Sequence, residues 1–527
     1  MGLADRQGDL LDDVTRFCDG AVPENSIYAV LYRERDRLFP DEMFGDLFQH
    51  TGRRSVPPSV VATVMVLQRL EGLSDRDAVE RYAFDARWRY AAGVGGYDGS
   101  GWDRFAHTVL VDMRARLAAS DRPRRIFEVT LTAAGKAGLV GAKRVLDSTP
   151  LYDAVATMDT ITLIRSAIRG LLRVADVGLA ACLRAVLASG DDYASTAKPD
   201  IDWDDAAARD GLVDSRARDG YACLMLLDGR ELDEPVVQAG QLLASVLGQD
   251  LETTQEGRLR IARRVAKDRI ISTVDPQARH GHKTAARGFD GYKGHAAIDP
   301  DSEIITDTHV TAGNVGDGAV AADLIDDLLE SAPADSKYER PTVYGDNAYG
   351  TGEFHDLLAQ GDITDRCKTQ PPVAADGMFS KDAFDIDLDA KTVTCPNGAV
   401  ASFRPNKHGD AIAYFADACH DCPLRGQCTN ARGGRTVRVS RHERQLAQAR
   451  VDQQDPAWRA DYRANRPKVE RKLAHLMRHR HGGRRARMRG TTKIDADFNL
   501  LAAAHNLARL ARLGLRSIRR GWTVATA

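Results

Sequence analysis

The chain has 527 residues, 43% of them apolar and 28% charged, with 19 prolines, which excludes a disordered or fibrous protein and predicts about three or four domains. No apolar run reaches the roughly 18 to 20 residues of a membrane span, and the acidic start MGLADRQGDLLDDV lacks the apolar stretch of a secretory signal, so we expect a cytoplasmic protein with no membrane partner. The net charge of −2 is unevenly divided, because 24 Lys and Arg face 7 Asp and Glu from Ala431 onward, a pattern typical of proteins that bind a polyanion.

Residues 1–135 are predicted to form a helical N-terminal domain. Residues 55–70 carry an apolar helical period that breaks at Gly72, and Ser74 with Asp77 resembles a capping box that opens the next helix. A helix, a tight glycine turn and a second helix occur in DNA-binding and oligomerising bundles, and equally in plain helical packing. The sequence leaves these alternatives open.

An α/β fold with a mixed sheet is predicted from the middle of the chain. The β-prone run KRVLDSTPLYDA contains Asp147, and helical periodicity dominates residues 158–264. Strand-like runs follow in RIISTVD, KGHAAIDPD, EIITDTHVT and PTVYGD, and the last of these ends in Asp346. We predict a turn region for DPQARHGHKTAARGFDGYKGH. Because strands alternate with helices after these runs, we expect one mixed sheet that a helical insert interrupts.

Four cysteines lie among short strand-like pieces, at Cys395, Cys419, Cys422 and Cys428. Four thiolates can close a tetrahedral Zn²⁺ site, and CHDC supplies the close pair that such sites use. The remaining spacing is irregular. We predict a structural Zn²⁺ that folds a small β-rich insert, with reduced, unliganded thiols as the alternative.

Carboxylates at the ends of core strands are candidate magnesium ligands. Asp147 and Asp346 each follow an apolar strand run and precede turn-prone residues. Mg²⁺ takes oxygen ligands and keeps room for substrate phosphates. Glu470 lies on a predicted cationic helix, where it is either a third ligand or a residue that balances the charge of its basic neighbours.

Several short sequence motifs follow one another along the chain: VLDSTPLYDA, DPQARHGHK with FDGYKGH, TAGNVGDG, VYGDNAYG and RPKVERKLAHLMRHRHGGRRARMRG. Together they resemble the DDE transposases of bacterial insertion sequences, over nearly the whole chain. The resemblance implies a ribonuclease-H-like catalytic fold and a catalytic triad of Asp147, Asp346 and Glu470 that holds two Mg²⁺ or Mn²⁺ ions. It also implies double-stranded DNA as the partner, namely the terminal inverted repeats and the target, and a homo-oligomer such as a dimer.

The predicted organisation follows from these features. Its parts are a DNA-binding or oligomerising helical N-terminal domain (1–135), the first part of the catalytic core (136–157), a helical insert (158–268), the second part of the core (269–370), a cysteine-containing β insert (371–450) and basic C-terminal helices that complete the core (451–527).

Basic and aromatic side chains in a glycine-containing loop, in the connection between strands and on the cationic helix are the predicted DNA contacts, since a guanidinium group offers phosphate a fork of donors. They are Arg279, Lys283, Lys293, Tyr462, Arg466, Lys468, Arg471, Arg478, Arg484, Arg485, Arg487 and Arg489. A solvated loop is the alternative for each arginine. Related transposases carry Tyr, Arg, Glu and Lys around the final acid; here the first interval is one residue longer, and Met477 stands where Lys is expected, with Arg478 adjacent.

The predicted function is that of a transposase that cleaves the ends of an insertion sequence and joins their 3′-hydroxyls to target DNA by two-metal phosphoryl transfer. One alternative is a metal-dependent nuclease without strand transfer. Another is a catalytically inactive DNA-binding repressor derived from a transposase, against which the presence of all three acids argues.

Overall fold

The structure is a computed structural model, and it describes residues 13–49, 55–95, 104–153, 157–263, 266–284, 286–330, 340–374, 377–519 and 521–525. The first twelve residues of the predicted N-terminal domain lie outside these ranges. Within them, no helix is both long enough and apolar enough to cross a membrane.

The N-terminal part of the described chain is helical. Its helices are α1 (Asp13–Ala21), α2 (Ile27–Leu38), α3 (Pro58–Glu71), α4 (Asp75–Phe84), α5 (Ala86–Ala92), α6 (Thr108–Ala119) and α7 (Arg125–Lys136). The predicted capping box opens α4, with the Ser74 side chain accepting from the backbone N–H of Asp77 and the Asp77 carboxylate accepting from that of Ser74. Gly72 ends α3 with φ +68°, where a Cβ would lie 2.8 Å from the carbonyl oxygen of Arg480.

Helix α3 is a core helix. Its residues from Pro58 to Arg69 are buried, and it packs against its neighbours and against the last long helix, residues 491–512. A DNA recognition helix leaves one face open to the groove. The burial of α3 therefore agrees with plain helical packing rather than with a reading role for this helix.

A helical insert follows the first strand, β1 (Lys143–Tyr152). It consists of α8 (Thr160–Val174), α9 (Val177–Ala185), α10 (Ala206–Leu227), α11 (Glu234–Asp250) and the hairpin of β2 (Leu251–Thr253) and β3 (Leu259–Ile261). These helices bury an apolar cluster of their own, centred on Leu163, Leu183 and Leu243. Aspartates cap α8, α9 and α10, which explains where each begins.

The central sheet has six strands and is mixed. Its other members are β4 (Arg279–Thr284), β5 (Arg287–Ile298), β6 (Ile305–Ala312), β7 (Thr342–Gly345) and β8 (Thr364–Cys367), with α12 (Asp326–Glu330) and α13 (Gly352–Gln360) between them. Strand β5 pairs antiparallel with β1 on one side. On its other side, residues 287–291 pair antiparallel with β4 and residues 292–298 with β6. On its free side β1 pairs in parallel with β7, and β7 with β8. This order places β1 at the centre of the sheet.

Each face of the sheet contributes to a different apolar cluster. Leu146 and Val343 pack with α12 and α13, whereas Val145 and Tyr344 pack with the C-terminal helices. Because side chains alternate along a strand, Asp147 lies on the same face as Val145. That face carries the C-terminal helices.

Two secondary-structure predictions were wrong, one of a strand and one of a turn region. Residues 270–275 are irregular rather than a strand, because Ile271 packs into the main apolar cluster and Asp275 accepts a hydrogen bond from Tyr292. The predicted turn region after them is largely the β4–β5 hairpin. Strand β4 lies at the sheet edge with His280, His282 and Lys283 exposed, so its composition does not show the apolar alternation of a half-buried strand.

The cysteine-containing segment holds short strands, and long helices follow it. The strands are β9 (Asp385–Asp387), β10 (Thr392–Thr394), β11 (Val400–Ser402), β12 (Ala411–Tyr414) and β13 (Thr436–Val439). The chain then forms α14 (Glu443–Asp452), α15 (Pro456–Leu476), α16 (Thr491–Arg512), β14 (Arg516–Ile518) and β15 (Gly521–Thr523). Asp455 caps α15 by accepting from the backbone N–H of Trp458, and Pro456 occupies its first turn.

Candidate functional site

The three predicted catalytic acids surround one guanidinium group. Arg466 Nη2 lies 2.9 Å from Asp147 Oδ1 and 3.6 Å from Asp346 Oδ2, and Arg466 Nη1 lies 3.8 Å from Glu470 Oε1. The exposed fraction of the acid side chain rises from 16% at Asp147 to 44% at Asp346 and 61% at Glu470. The site is therefore buried at β1 and open to solvent on the side of α15.

Hydrogen bonds fasten α15 to the sheet beside the acids. Asp461 accepts from the Tyr344 hydroxyl at 3.0 Å and from Arg366 Nε at 3.1 Å, while Asn465 Nδ2 donates to the same hydroxyl at 3.2 Å. Tyr344 stands two residues before Asp346, on the same face of β7. These bonds hold α15 at the height of the strand ends, so that its next turn faces Asp147.

Arg466 is an ion-pair partner of all three acids. Burial by itself would lower the pKa of its guanidinium, but the Asp147 carboxylate and its neighbours raise that pKa above the ordinary value. Burial raises the pKa of Asp147, and Arg466 opposes this rise without cancelling it. Among the described residues, Arg466 Nε and Nη1 are buried without a hydrogen-bond acceptor.

Two clefts meet at the acids, and Asp346, Arg466 and Glu470 line both. The Trp458 cleft, of about 880 Å³, runs along α15 and also includes Lys368, Arg459, Tyr462 and Arg463. The Lys283 cleft, of about 610 Å³, also includes Asp147, Lys283, Arg287, Met477 and Arg484. The acids thus lie where two cation-lined clefts join.

A polar network supports β1 from the opposite face of the sheet. The Ser148 hydroxyl donates to Asp317 Oδ2 at 2.5 Å, and Lys293 Nζ donates to Asp317 Oδ1 at 2.8 Å. Asp317 belongs to the sequence motif TAGNVGDG, whose structural role could not be predicted from the sequence. Because Ser148 follows Asp147 directly, this network fixes the backbone that carries the most buried acid.

The predicted DNA contacts divide into two groups. Lys283, Arg478, Arg484, Arg485 and Arg489 are exposed. Arg484 and Arg485 are brought to β1 by the loop after α15, because the backbone of Tyr152 accepts from Ala486 N at 2.8 Å and donates to the Arg484 carbonyl at 3.0 Å. Lys283 and Arg484 line the same cleft.

The other predicted contacts bond within the chain. Arg279 donates to the carbonyls of Pro276 and Ala278, Lys293 to that of Val315 as well as to Asp317, and Arg487 to that of Leu73. These three side chains hold loops in place and are only partly exposed, which weakens the prediction that they contact phosphate.

Three predicted contacts on α15 also have partners in the chain. Lys468 lies 3.5 Å from Asp301, Arg471 2.9 Å from Glu303, and the Tyr462 ring stacks on Trp458 with 5.1 Å between centroids. Lys468 and Arg471 remain near the surface, whereas Tyr462 is buried. The prediction that these three side chains contact DNA is therefore weaker than the sequence alone indicated.

Met477 lines the Lys283 cleft, whereas Arg478 lines a different cavity beside His475. Arg478 therefore does not replace the expected lysine. Lys283, Arg287 and Arg484 line the same cleft as Met477 and are the exposed cations that the fold supplies there.

Sequence reasoning missed Arg287, Lys368, Arg459 and Arg463, which line the two clefts. Lys368 lies directly after β8, the neighbour of the strand that carries Asp346, and its Nζ is 4.6 Å from the Tyr462 ring centroid. Its place directly after a parallel strand is the sequence signal by which Lys368 could have been predicted as a residue of the site. Only helix packing could reveal the cleft-lining face of α15.

The four cysteines line one small cavity of about 20 Å³ in the core of their segment. Cys419 Sγ accepts from the backbone N–H of Arg435 at 3.4 Å, a bond that would stabilise a thiolate. Burial raises the pKa of the Cys428 thiol. No three of the sulfur atoms lie within 4.8 Å of one another in the described chain, so zinc binding would require the side chains to turn inward.

Acids at two neighbouring parallel strands and a third on a helix beside them form the arrangement that the resemblance to DDE transposases implies. Residues 394–511 match the family model described as transposase DDE domain, and residues 16–116 match the transposase domain (DUF772). These two matches support a transposase of the insertion-sequence DDE type. A DDE domain implies a ribonuclease-H-like fold, with which the mixed sheet agrees. The first match contains Glu470 and the four cysteines but neither Asp147 nor Asp346.

No curated protein and no solved structure matches the chain significantly.

Proposed function

We propose that this transposase cleaves DNA at the ends of its insertion sequence and joins the freed 3′-hydroxyls to target DNA. The observation that carries the proposal is the convergence of Asp147, Asp346 and Glu470 on one cationic group where two clefts meet. The clefts offer a path for a strand on both sides of the acids. The cations along them suit a phosphate backbone.

The donor set fits hard divalent cations, because three carboxylates that share one monovalent guanidinium have oxygen atoms and negative charge to spare. Asp147, Asp346 and Glu470 would hold the ions. Two Mg²⁺ or Mn²⁺ ions, when bound, would activate the attacking oxygen and stabilise the leaving oxygen at phosphorus.

Arg466 suits a second role toward the substrate. Its buried Nε and Nη1 have no acceptor in the described chain, and a buried donor without an acceptor is unfavourable. A phosphate oxygen in the cleft would satisfy these donors and would neutralise the guanidinium once cations occupy the carboxylates. Arg466 would then hold the scissile phosphate beside the three acids.

A nuclease without strand transfer would use the same acids, so the joining step needs its own test. The assay combines the purified full chain, Mg²⁺, a duplex carrying the inverted repeat that flanks the gene, and a supercoiled plasmid. We expect cleavage at the repeat and covalent joining of a pre-cut 3′ end to the plasmid. Cleavage without joining would favour the nuclease, and binding without cleavage would favour the inactive repressor.

The exposed cations Lys283, Arg287 and Arg484 are proposed to contact the DNA backbone, and the N-terminal helices are proposed to serve in end binding or oligomerisation. A homodimer would allow two ends to be held together. Both proposals rest on the DNA substrate that transposition requires.

A structural zinc is proposed for the cysteine segment. Replacing Cys422 by Ser is expected to remove one zinc per chain and to lower the unfolding temperature, because the metal would supply folding free energy to a segment with short strands. Elemental analysis and thermal unfolding of the full chain measure both effects. Cys182→Ser, at an exposed cysteine outside the segment, is the matched control. Equal zinc contents in the two variants would contradict the proposal.

A further inference from the structure

Three histidines meet at the C-terminal end of α15, outside the site of the acids. His475 lies in the last turn of α15, His481 in the short turn after it, and His505 in α16. One ring nitrogen of each lies within 4.8 Å of those of the other two, and the ring centroids are 4.5 to 5.2 Å apart. No other group of three His, Cys, Asp or Glu side chains in the described residues gathers its ligand atoms so closely.

The hydrogen bonds of this cluster indicate which ring nitrogens could serve as ligands. His481 Nδ1 donates to the carbonyl of Leu70 in α3, which leaves Nε2 as its ligand atom. Metal-binding histidines almost always donate their second ring N–H in this way, because the bond orients the ring. His505 is 4% exposed, and its Nε2 is buried without a hydrogen-bond partner among the described residues.

Metal ligation uses the neutral imidazole, and the surroundings of the three rings lower their pKa values. Burial, followed by the charge of Arg478 and other neighbours, lowers the pKa of His475 to about 4. Burial also lowers the pKa of His481 and, by more, that of His505.

Several cations surround the cluster, and two of them are paired with carboxylates. Arg69 pairs with Asp497 at 3.0 Å, and Lys472 lies 3.9 Å from Glu303. Arg480 Nε donates to His481 Nε2 at 3.0 Å. Because Arg480 is exposed, its side chain can turn into solvent and release that lone pair. A cavity of about 630 Å³ gives a hydrated ion access to all three rings.

We propose that His475, His481 and His505 bind one transition-metal ion, with Zn²⁺ as the natural candidate. A set of imidazole ligands suits Zn²⁺, Ni²⁺, Co²⁺ or Cu²⁺ and does not suit Mg²⁺, so this site is chemically separate from the acids. The ion would join the turn after α15 to α16 and, through Leu70, to the N-terminal helices. A water molecule from the cavity would complete its coordination.

Cobalt titration of the metal-free full chain tests this proposal in the presence of excess Mg²⁺. Thiolate-bound Co²⁺ absorbs strongly in the near ultraviolet through charge transfer from sulfur, whereas imidazole-bound Co²⁺ shows only visible d–d bands. Because the proposed cysteine site would also take Co²⁺, we expect two equivalents to bind, one with charge-transfer bands from sulfur and one with visible d–d bands alone. His475→Gln should weaken this binding by at least about tenfold, since one of three ligands is lost.

Two further variants make the test specific. His479→Gln removes an exposed histidine of the same turn and should leave Co²⁺ affinity unchanged. Arg480→Gln should tighten binding, because it frees the His481 lone pair; a role of the cluster in packing alone predicts no such gain. Absence of the thiolate-free cobalt signal, or equal affinity in the His475 and His479 variants, would overturn the proposal.

Discussion

Replacing Asp147 by Asn is expected to lower the rate of DNA cleavage by about a thousandfold or more, because the amide removes the charge that would hold the metal ions at the most buried corner of the site. Asp346→Asn and Glu470→Gln should have effects of similar size. Affinity for the inverted repeat should change little, since the exposed cations are untouched. Cleavage and gel-shift assays on one labelled duplex measure both quantities.

The matched control for these variants is Asp362→Asn. Asp362 lies beside β8 with its side chain 87% exposed, and its φ of +52° is one that asparagine also tolerates. This variant should cleave as the unaltered chain does. If all three site variants retained cleavage, the assignment of the acids would fail even though the chain would remain a transposase by family.

Replacing Arg466 by Met is expected to destabilise the metal-free protein by about 3 kcal/mol, because Asp147 would stay buried without its counter-charge. Added Mn²⁺ should then raise the unfolding temperature more in this variant than in the unaltered chain, since the dication no longer competes with the guanidinium. Cleavage should fall as well, because Arg466 is proposed to hold the scissile phosphate. Thermal unfolding with and without Mn²⁺ provides the decisive measurement.

Arg463→Met provides the comparison for that variant. Arg463 is exposed, lies on the same helix and lines the Trp458 cleft, so its replacement should change stability by no more than about 0.5 kcal/mol. An Arg466 variant as stable as this control, with the same response to Mn²⁺, would show that the guanidinium does not compensate the acids.

Local patterns predicted much of the architecture. The alternation around Asp147 and Asp346, the capping box at Ser74 and the long period of α15 are signals carried by neighbouring residues, and the structure has an element at each. The β4–β5 hairpin was missed because one of its strands lies at an edge, where polar residues face solvent and the apolar alternation is absent. The motif TAGNVGDG is visible in the sequence, but the hydrogen bonds of its Asp317 with Ser148 and Lys293 could not be predicted from it.

The amino-acid sequence alone determined the class of protein, the strand ends that carry two acids and the cationic helix that carries the third. Only the tertiary structure decided that Arg466 stands among the acids instead of on the surface, that Arg478 and Met477 face different cavities, and that three histidines converge. The physical reason is that helix and strand periods are set by local backbone geometry. Which side chains meet depends on how distant helices and strands pack, and that packing is encoded in no single segment.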